Sequence, residues 1–388
     1  MKIFLLTTVA GAGHNQAARA LQKAFELEAP SHQVAYLDAS ELGTKLVRKM
    51  YNDSYLKLVE TTPTLWGYVY ERCDQRKLSR TKEKLKSLFS RLNSRPLMRT
   101  LEEERPDVLV ATHFYPAEIA LRLKRKGRIS SRLEVVITDF QPHLFWVLEG
   151  VDHYYVADEE TRVALSARGV DLARISVTGI PVDPKFSVRR DRRELRTRLG
   201  LDPDRFTAVV SSGGMGMGPM EDVVRTLVEE RLVPQILVIC GKNEKLKASL
   251  DKMVVPEGLR LSVHGFVQNM EEFMGAADVL ISKCGGLTTA ESLAVGLPMI
   301  ILHPIPGQEA QNSDLLLERG VAIKANDLHS LKWKVQQLVA RPDRLDEMRS
   351  RIANMAKPEA ARQIALAVVA HSTSQSLHPD APPRGSVV

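Results

Sequence analysis

The sequence predicts two α/β domains in series, each built on a parallel β-sheet with helices on both faces. The chain has 388 residues, which is too many for one hydrophobic core of ordinary size. Short, continuously apolar runs alternate with helical patterns, as in sheets that are buried on both faces. This alternation stops at a Pro-containing, highly charged stretch, residues 179–205, and then begins again.

Six apolar runs predict the strands of the first domain, and a helix pattern over residues 15–27 follows the first of them. These runs are residues 2–8, 33–39, 108–113, 132–140, 153–158 and 175–181. Six more predict the second sheet: residues 206–214, 234–241, 259–266, 277–286, 298–304 and 320–325. We expect a first domain over 1–182, a second over 183–355, a helix over 356–371 returning to the first domain, and a disordered Ser/Pro-rich tail over 372–388.

The composition restricts the class of protein. A hydrophobic content of 44% and a charged content of 26% are globular values, and the apolar runs are far shorter than the roughly 20 residues that span a bilayer. The N-terminus shows no signal-peptide pattern. Cys73, Cys240 and Cys284 lack the paired spacing of a zinc site or a disulfide framework, which indicates a reducing, cytoplasmic compartment.

Positive charge is concentrated in one segment, where 14 basic and five acidic residues lie between Lys45 and Arg99. A basic amphipathic helix pattern within it indicates binding to an anionic membrane surface, and Trp66 and Tyr68 are residue types of the headgroup boundary. The basic side chains expected to contact lipid are Lys82, Lys84, Lys86 and Arg91. The alternative is an ordinary surface helix whose leucines pack on the domain. No nucleic-acid partner is expected, because no recognised binding motif accompanies the charge.

Glycine-rich turns occur at residues 11–14, 211–219 and 284–292. None has the GxxxxGK[ST] spacing of a P-loop. The first lacks the third glycine of the dinucleotide fingerprint, because Gln16 stands there. Asp38, about 20 residues farther on, keeps a dehydrogenase open as an alternative.

The third turn, CGGLTTAES, is the most informative. It follows a strand and opens a helix, with Thr288 and Thr289 as candidate caps, and the N–H groups of a helix start form an anion site. Glu291, about one turn farther, is placed to accept hydrogen bonds from ribose hydroxyls. Gln308 and Glu309 follow the next strand and suit a polyhydroxylated ring, because ligands bind at the carboxyl ends of parallel strands. The alternatives are a purely structural strand–turn–helix unit and a polar helix start.

Five motifs together resemble those of the GT-B inverting glycosyltransferases, whose two Rossmann-like domains have parallel sheets that face each other across a cleft. The motifs are GAGH (11–14), ITDF (137–140), GIPVDPKF (179–186), GGLTTAES (285–292) and PGQEAQN (306–312). The similarity is closer to the diacylglycerol glycosyltransferases, namely the monogalactosyldiacylglycerol synthases and the processive diacylglycerol glucosyltransferases. It extends to the enzyme that adds N-acetylglucosamine to the peptidoglycan lipid intermediate, and it covers roughly residues 1 to 370.

The resemblance implies that the second domain binds a UDP-sugar, with uracil beside Phe266 and Val267 and the ribose beside Glu291. The diphosphate is expected against Ser212, Gly213, Gly214, Gly285, Gly286, Leu287, Thr288 and Thr289. The sugar hydroxyls are expected to meet Gln308, Glu309 and Asn312. We expect no cofactor and no essential catalytic metal, because a helix N-terminus can stabilise the leaving group and no DxD-type pair stands on a suitable loop.

Transfer with inversion requires a base with a pKa near neutral, which histidine supplies. His14, in the turn after the first strand, is the candidate, and the resemblance implies for it the role of the base or of the residue that orients the acceptor. Read alone, His14 is an ordinary residue near a helix start. Asp139 is the rival, either as the base or as the group that orients the imidazole. His113 and His143 are expected to serve structure or the acceptor pocket, and Gly13 to let the backbone pass close to the acceptor.

The sequence therefore predicts a hexosyltransferase that moves glucose or galactose from a UDP-sugar to diacylglycerol, as a peripheral protein on the inner face of the cell membrane. The alternatives are a transferase for another lipid or small acceptor, a UDP-sugar epimerase of the same architecture, and a non-catalytic nucleotide-sugar or lipid-binding protein. The donor sugar, the number of sugars added and the oligomeric state do not follow from the sequence.

Overall fold

Two parallel six-stranded sheets form the framework of the protein in a computed structural model, which describes residues 1–8, 12–42, 94–213 and 218–376. The strands of the first sheet are β1 (Lys2–Thr7), β2 (Gln33–Asp38), β3 (Val108–Ala111), β4 (Arg132–Val136), β5 (His153–Val156) and β6 (Ile175–Val177). Their order is β2-β1-β3-β4-β5-β6. The order in which strands are added to the sheet therefore reverses between β1 and β3. Such a switch point is where α/β sheets bind ligands.

The second sheet has the doubly wound order of a Rossmann domain. Its strands are β7 (Thr207–Ser211), β8 (Gln235–Ile239), β9 (Arg260–His264), β10 (Val279–Ser282), β11 (Met299–Leu302) and β12 (Ala322–Ala325). They are arranged β12-β11-β10-β7-β8-β9, which places the switch point between β7 and β10. Each of the twelve predicted runs contains one strand, and the predicted fold class is confirmed.

Helices cover both faces of each sheet. Those of the first domain are α1 (Ala12–Glu28), α2 (Arg95–Glu104), α3 (Phe114–Arg125) and α4 (Glu159–Ala167). The remaining ones are α5 (Arg192–Arg198), α6 (Met220–Glu229), α7 (Glu244–Leu250), α8 (Met270–Ala276), α9 (Gly286–Ala294), α10 (Gln308–Glu318), α11 (Leu328–Ala340), α12 (Pro342–Met355) and α13 (Ala360–Ser376). Short 3-10 turns occupy Leu144–Trp146, Leu172–Arg174 and Pro184–Phe186. Among the helices of the described ranges, none is both long and apolar enough to cross a bilayer.

The inner strands β1 and β3 are largely apolar because both faces of the sheet are buried there. In β1, Ile3 and Leu5 pack on one face, whereas Phe4 and Leu6 pack on the other, as the two-residue period of a strand requires. The first of these faces is covered by α1 together with α13, the last helix of the chain.

The last helix returns to the first domain. Ile364 and Val368 of α13 share a buried cluster with Leu21 and Phe25 of α1. The prediction that this helix ends at residue 371 and that disorder begins at 372 is wrong for residues 372–376, which continue α13. Serine is a weak helix breaker, and here the Ser372 hydroxyl donates to the carbonyl four residues earlier, 3.0 Å away. Residues 377–388 of the predicted tail lie outside the described residues.

The segment between the domains packs against the second domain. Ile180, Val182 and Phe186 belong to the same buried cluster as second-domain residues such as Leu280 and Met299. The chain turns at residue 179, where a glycine adopts a positive φ of 93°. The two sheets are thus joined through a continuous apolar contact.

Candidate functional site

The carboxyl ends of β1, β3 and β4 bring four polar side chains close together at the switch point of the first sheet. His14 follows β1, Thr112 and His113 follow β3, and Thr138 follows β4. The sequence indicated His14 and His113. It gave no separate signal for the two threonines beyond their place at strand ends, which is where such residues could have been sought.

His14 lies in the first turn of α1, and the expectation that it stands in the preceding turn is wrong. Helix α1 begins at Ala12, three residues earlier than predicted. The backbone carbonyl of His14 accepts a hydrogen bond from the Thr112 hydroxyl at 3.0 Å, which ties the start of α1 to the end of β3. This hydrogen bond fixes the position of the His14 backbone.

The imidazole of His14 contacts two oxygen atoms through Nδ1. The Thr112 carbonyl oxygen lies 3.0 Å from Nδ1, and the Thr138 hydroxyl oxygen lies 2.7 Å from it. A carbonyl oxygen can only accept, so Nδ1 donates and carries the proton of the neutral ring. The lone pair is consequently on Nε2, as a general base requires.

Burial lowers the pKa of His14 to about 4, and the hydrogen bond with the Thr112 carbonyl opposes this shift. The ring is enclosed by His113, edge-on at 4.7 Å between centroids, and by Trp146 at 6.2 Å. This shift places the pKa below the near-neutral value expected of a general base. At pH 7 the imidazole is neutral, which is the state that accepts a proton.

Asp139 is buried, and its Oδ2 accepts a hydrogen bond from the Trp146 indole N–H at 3.2 Å. Within the described part of the chain its other oxygen, Oδ1, has no hydrogen-bond partner. Burial raises its pKa to about 7, against the opposing effect of the indole hydrogen bond. Thr112 and Thr138 contact Nδ1 of His14, whereas no hydrogen bond joins Asp139 to the ring within the described residues, so an orienting role for Asp139 stays a prediction. Its pKa keeps Asp139 available as the alternative base.

His113 and His143 both serve as helix caps. His113 Nδ1 accepts from the Tyr115 N–H at 3.1 Å at the start of α3, and His143 Nδ1 accepts from the Phe145 N–H at 3.2 Å. Burial, with a smaller contribution from His14, lowers the pKa of His113 well below its usual value. His113 is therefore neutral, and its contact with His14 is one between two uncharged rings.

Helix α9 begins directly after the second switch point, at Gly286. Gly285 is its N-cap residue and makes no side-chain cap, so the expectation that Thr288 or Thr289 caps the helix is wrong. The Thr289 N–H donates to the Gly285 carbonyl at 2.9 Å, which leaves the earlier N–H groups of α9 without intrahelical partners. The Thr289 hydroxyl is buried, with no hydrogen-bond partner among the described residues. A helix start with free N–H groups and its dipole is the kind of structure that binds anions, so the predicted diphosphate site remains a prediction at a suitable position.

The start of α9 touches the first domain at two glycines. A Cβ atom on Gly286 would lie 2.2 Å from the Thr138 carbonyl oxygen, so only glycine fits there. A Cβ atom on Gly13 would lie 3.6 Å from the Leu287 Cβ, an ordinary contact. Gly13 thus faces α9, and the expectation that it lets the backbone pass close to the acceptor stays a prediction.

Helix α10 begins at Gln308, so the polar pair of the PGQEAQN motif forms a helix start. The Glu309 carboxylate accepts from the Ile305 N–H at 2.8 Å. Burial raises its pKa, and this bond and the charge of Lys283 oppose the shift. Asn312 is fully buried, and its amide donates to the Cys284 carbonyl at 2.9 Å, which links α10 to the turn before α9.

Four more predicted donor residues lie at the same end of the second sheet. Ser212 and Gly213 follow β7, and Phe266 and Val267 follow β9, with Phe266 exposed. Glu291 lies in the second turn of α9. Burial raises the pKa of Glu291 to about 8, the charge of Lys185 opposes this, and Asp183 and Glu271 add to it. Donor binding by these four residues and by Glu291 therefore remains a prediction.

Several predicted residues lie outside the described ranges, so their positions are untested: Trp66, Tyr68, Lys82, Lys84, Lys86, Arg91 and Gly214. In the ranges that are described, no group of three or more His, Cys, Asp or Glu side chains is arranged to hold a metal ion. Trp146 is the site residue that sequence reasoning missed without any signal, because its contacts with His14 and Asp139 are tertiary.

Comparison with known proteins divides the chain in the same way as its two sheets. Residues 14–182 match the family model of monogalactosyldiacylglycerol (MGDG) synthase, and residues 219–364 match the glycosyltransferase family 28 C-terminal domain. A processive diacylglycerol beta-glucosyltransferase of Bacillus subtilis is 29% identical over 356 residues, which cover 91% of each chain.

Solved structures with low sequence identity have the same fold. MurG of Acinetobacter baumannii superposes with a TM-score of 0.59 and 16% identity, over 95% of this chain and 100% of that one. A UDP-GlcNAc 2-epimerase of Neisseria meningitidis bound to UDP-GlcNAc gives a TM-score of 0.56 and 12% identity, over 95% and 100% of the two chains. The first domain is thus a monogalactosyldiacylglycerol synthase domain and the second a glycosyltransferase family 28 C-terminal domain, and the chain is similar over nine-tenths of its length to processive diacylglycerol beta-glucosyltransferases.

Proposed function

We propose that this protein transfers a hexose from a UDP-sugar to the hydroxyl of diacylglycerol, with inversion at the anomeric carbon, to make a membrane glycolipid. One observation supports this above all: the anion-binding start of α9 meets the first domain at Thr138, the residue whose hydroxyl contacts His14. A leaving-group site and a candidate base are therefore adjacent. The relative from Bacillus subtilis, a diacylglycerol glucosyltransferase, supports the acceptor class.

In the proposed reaction His14 is the base. Nε2 takes the proton of the acceptor hydroxyl as its oxygen attacks the anomeric carbon, and the bond from that carbon to the UDP oxygen breaks. The imidazolium that forms keeps its Nδ1–H bonded to the Thr112 carbonyl, which stabilises the positive charge. Asp139, with its pKa near 7, is the alternative base.

The departing UDP carries growing negative charge. In this proposal the N–H groups and the dipole at the start of α9, which are fixed before the reaction, stabilise this charge. We propose that they replace an essential metal ion. Accordingly, turnover is expected to be unchanged after dialysis against EDTA, and loss of activity that added Mg²⁺ or Mn²⁺ restores would contradict this part of the proposal.

The decisive test is the product formed with a panel of UDP-sugars. Purified protein is incubated with diacylglycerol-containing liposomes and UDP-glucose, UDP-galactose or UDP-N-acetylglucosamine, and lipids are analysed by mass spectrometry. We expect a hexosyl lipid with at least one UDP-hexose. No glycolipid with any donor would refute the proposal. Conversion of UDP-N-acetylglucosamine in the absence of lipid would favour an epimerase, the activity named for the structural relative from Neisseria meningitidis.

We further propose that the protein binds the inner face of the cell membrane through its basic segment. Each Lys or Arg near an anionic leaflet contributes about 1 kcal/mol, so a few suffice for peripheral attachment. Cosedimentation with anionic liposomes is expected to fall when four basic side chains are replaced by glutamine. Unchanged binding would contradict a membrane-binding role of the basic segment. The replaced residues are Lys82, Lys84, Lys86 and Arg91.

A further inference from the structure

Thr138 contacts the two halves of the proposed site with two different atoms. Its hydroxyl oxygen lies 2.7 Å from His14 Nδ1. Its carbonyl oxygen lies so close to Gly286, the first residue of α9, that a Cβ atom on Gly286 would be only 2.2 Å from it. The residue is buried and lies two positions after the end of β4, so its surroundings restrict both the backbone and the side chain.

We propose that Thr138 is a positioning residue that couples the donor helix to the base: its backbone sets the distance of α9 from the first domain, and its side chain sets the orientation of the His14 ring. This inference rests on the proposed function, because it assumes that α9 binds the donor and that His14 accepts the proton.

The chemistry of the contact explains why a hydroxyl is needed. The Thr112 carbonyl already fixes which nitrogen of His14 carries the proton. One contact at a ring nitrogen leaves the imidazole able to swing about that bond, whereas a second oxygen beside the same nitrogen restricts the ring plane. The Thr138 hydroxyl oxygen shares the Nδ1–H with the Thr112 carbonyl, and this contact strengthens when the ring becomes an imidazolium, because hydrogen bonds to charged groups are the stronger ones.

The test replaces the hydroxyl by a methyl group. We expect Thr138→Val to lower kcat about 10- to 100-fold, while the affinity for UDP measured by calorimetry stays within about twofold, because the donor site itself is untouched. Thr138→Ser retains the hydroxyl and is expected to restore most of the lost turnover. The matched control is Thr178→Val, since Thr178 is a buried threonine near the end of β6 whose hydroxyl donates to Gly179.

A double-mutant cycle separates positioning from general damage. If Thr138 acts through His14, Thr138→Val lowers the residual rate of a His14→Ala variant by less than about twofold. An equal loss in both backgrounds, or wild-type kcat in Thr138→Val, would overturn the inference, as would a Thr138→Ser variant no more active than Thr138→Val. Absence of turnover in the wild-type protein would instead refute the proposed function. Melting temperatures of all variants show whether each one folds.

Discussion

Replacing Gly286 with alanine adds one methyl group at the point where α9 meets the first domain. Its Cβ would lie 2.2 Å from the Thr138 carbonyl oxygen, whereas ordinary contacts begin at 3.4 Å, so the two segments must separate by about 1.2 Å. The start of α9 would then move away from His14 by a similar amount. A misplacement of about 1 Å between reacting groups costs on the order of 100-fold in rate.

We therefore expect Gly286→Ala to lower kcat about 100-fold in the liposome assay. Overpacking of this kind also lowers the free energy of unfolding by about 1–3 kcal/mol, although alanine is otherwise the better helix former. Gly285→Ala is the informative comparison, because its Cβ would meet Glu309 at 3.6 Å, an ordinary contact, and its loss of turnover is expected to be much smaller. Wild-type kcat in Gly286→Ala would refute the reasoning.

Three further predictions concern single side chains. His14→Ala is expected to lower kcat about 10²- to 10⁴-fold with unchanged UDP affinity in calorimetry, and a fully active variant would remove His14 as the base. Because burial raises the pKa of Asp139 from 3.8 to about 7, the folded protein holds this proton more tightly than the unfolded chain, so its stabilising effect is complete below pH 4 and is lost as the pH rises to 7. The unfolding free energy of the wild type should thus fall over this range relative to Asp139→Asn, by up to about 4 kcal/mol in chemical denaturation, and parallel pH curves would contradict the assignment. Glu291→Ala is expected to weaken UDP binding about tenfold, with an unchanged Kd as the opposing result.

The strands were predictable because each is an apolar run that ends at a polar or turn residue, which is typical of a sheet buried on both faces. The first residues of the helices were less predictable than the strands. Ala12 and Gly13 carry no capping signal, and α9 begins at Gly286, a glycine that contacts Thr138 of the other domain. Local sequence rules favoured Thr288 and Thr289 as caps because these rules do not include contacts with the other domain.

The chemical state of the site depends on distances that no local pattern encodes. Thr138 and His14 are 124 residues apart, and the hydroxyl of a threonine after a strand does not reveal which ring it meets. The low pKa of His14 and the raised pKa of Asp139 both follow from burial, which Trp146 helps to complete. The sequence indicated both candidate residues, but it could not order their proton affinities.

The packing of α13 on α1 also determines when the first domain can be completed. The face of α1 that contains Leu21 and Phe25 is covered by Ile364 and Val368, which the ribosome adds about 340 residues later. At 5–20 residues per second this is a delay of roughly 20–70 s. During that time the cluster formed by α1 and the strands of the first sheet lacks its α13 members, and a gene fragment that encodes residues 1–182 alone would leave this part of the apolar face exposed permanently.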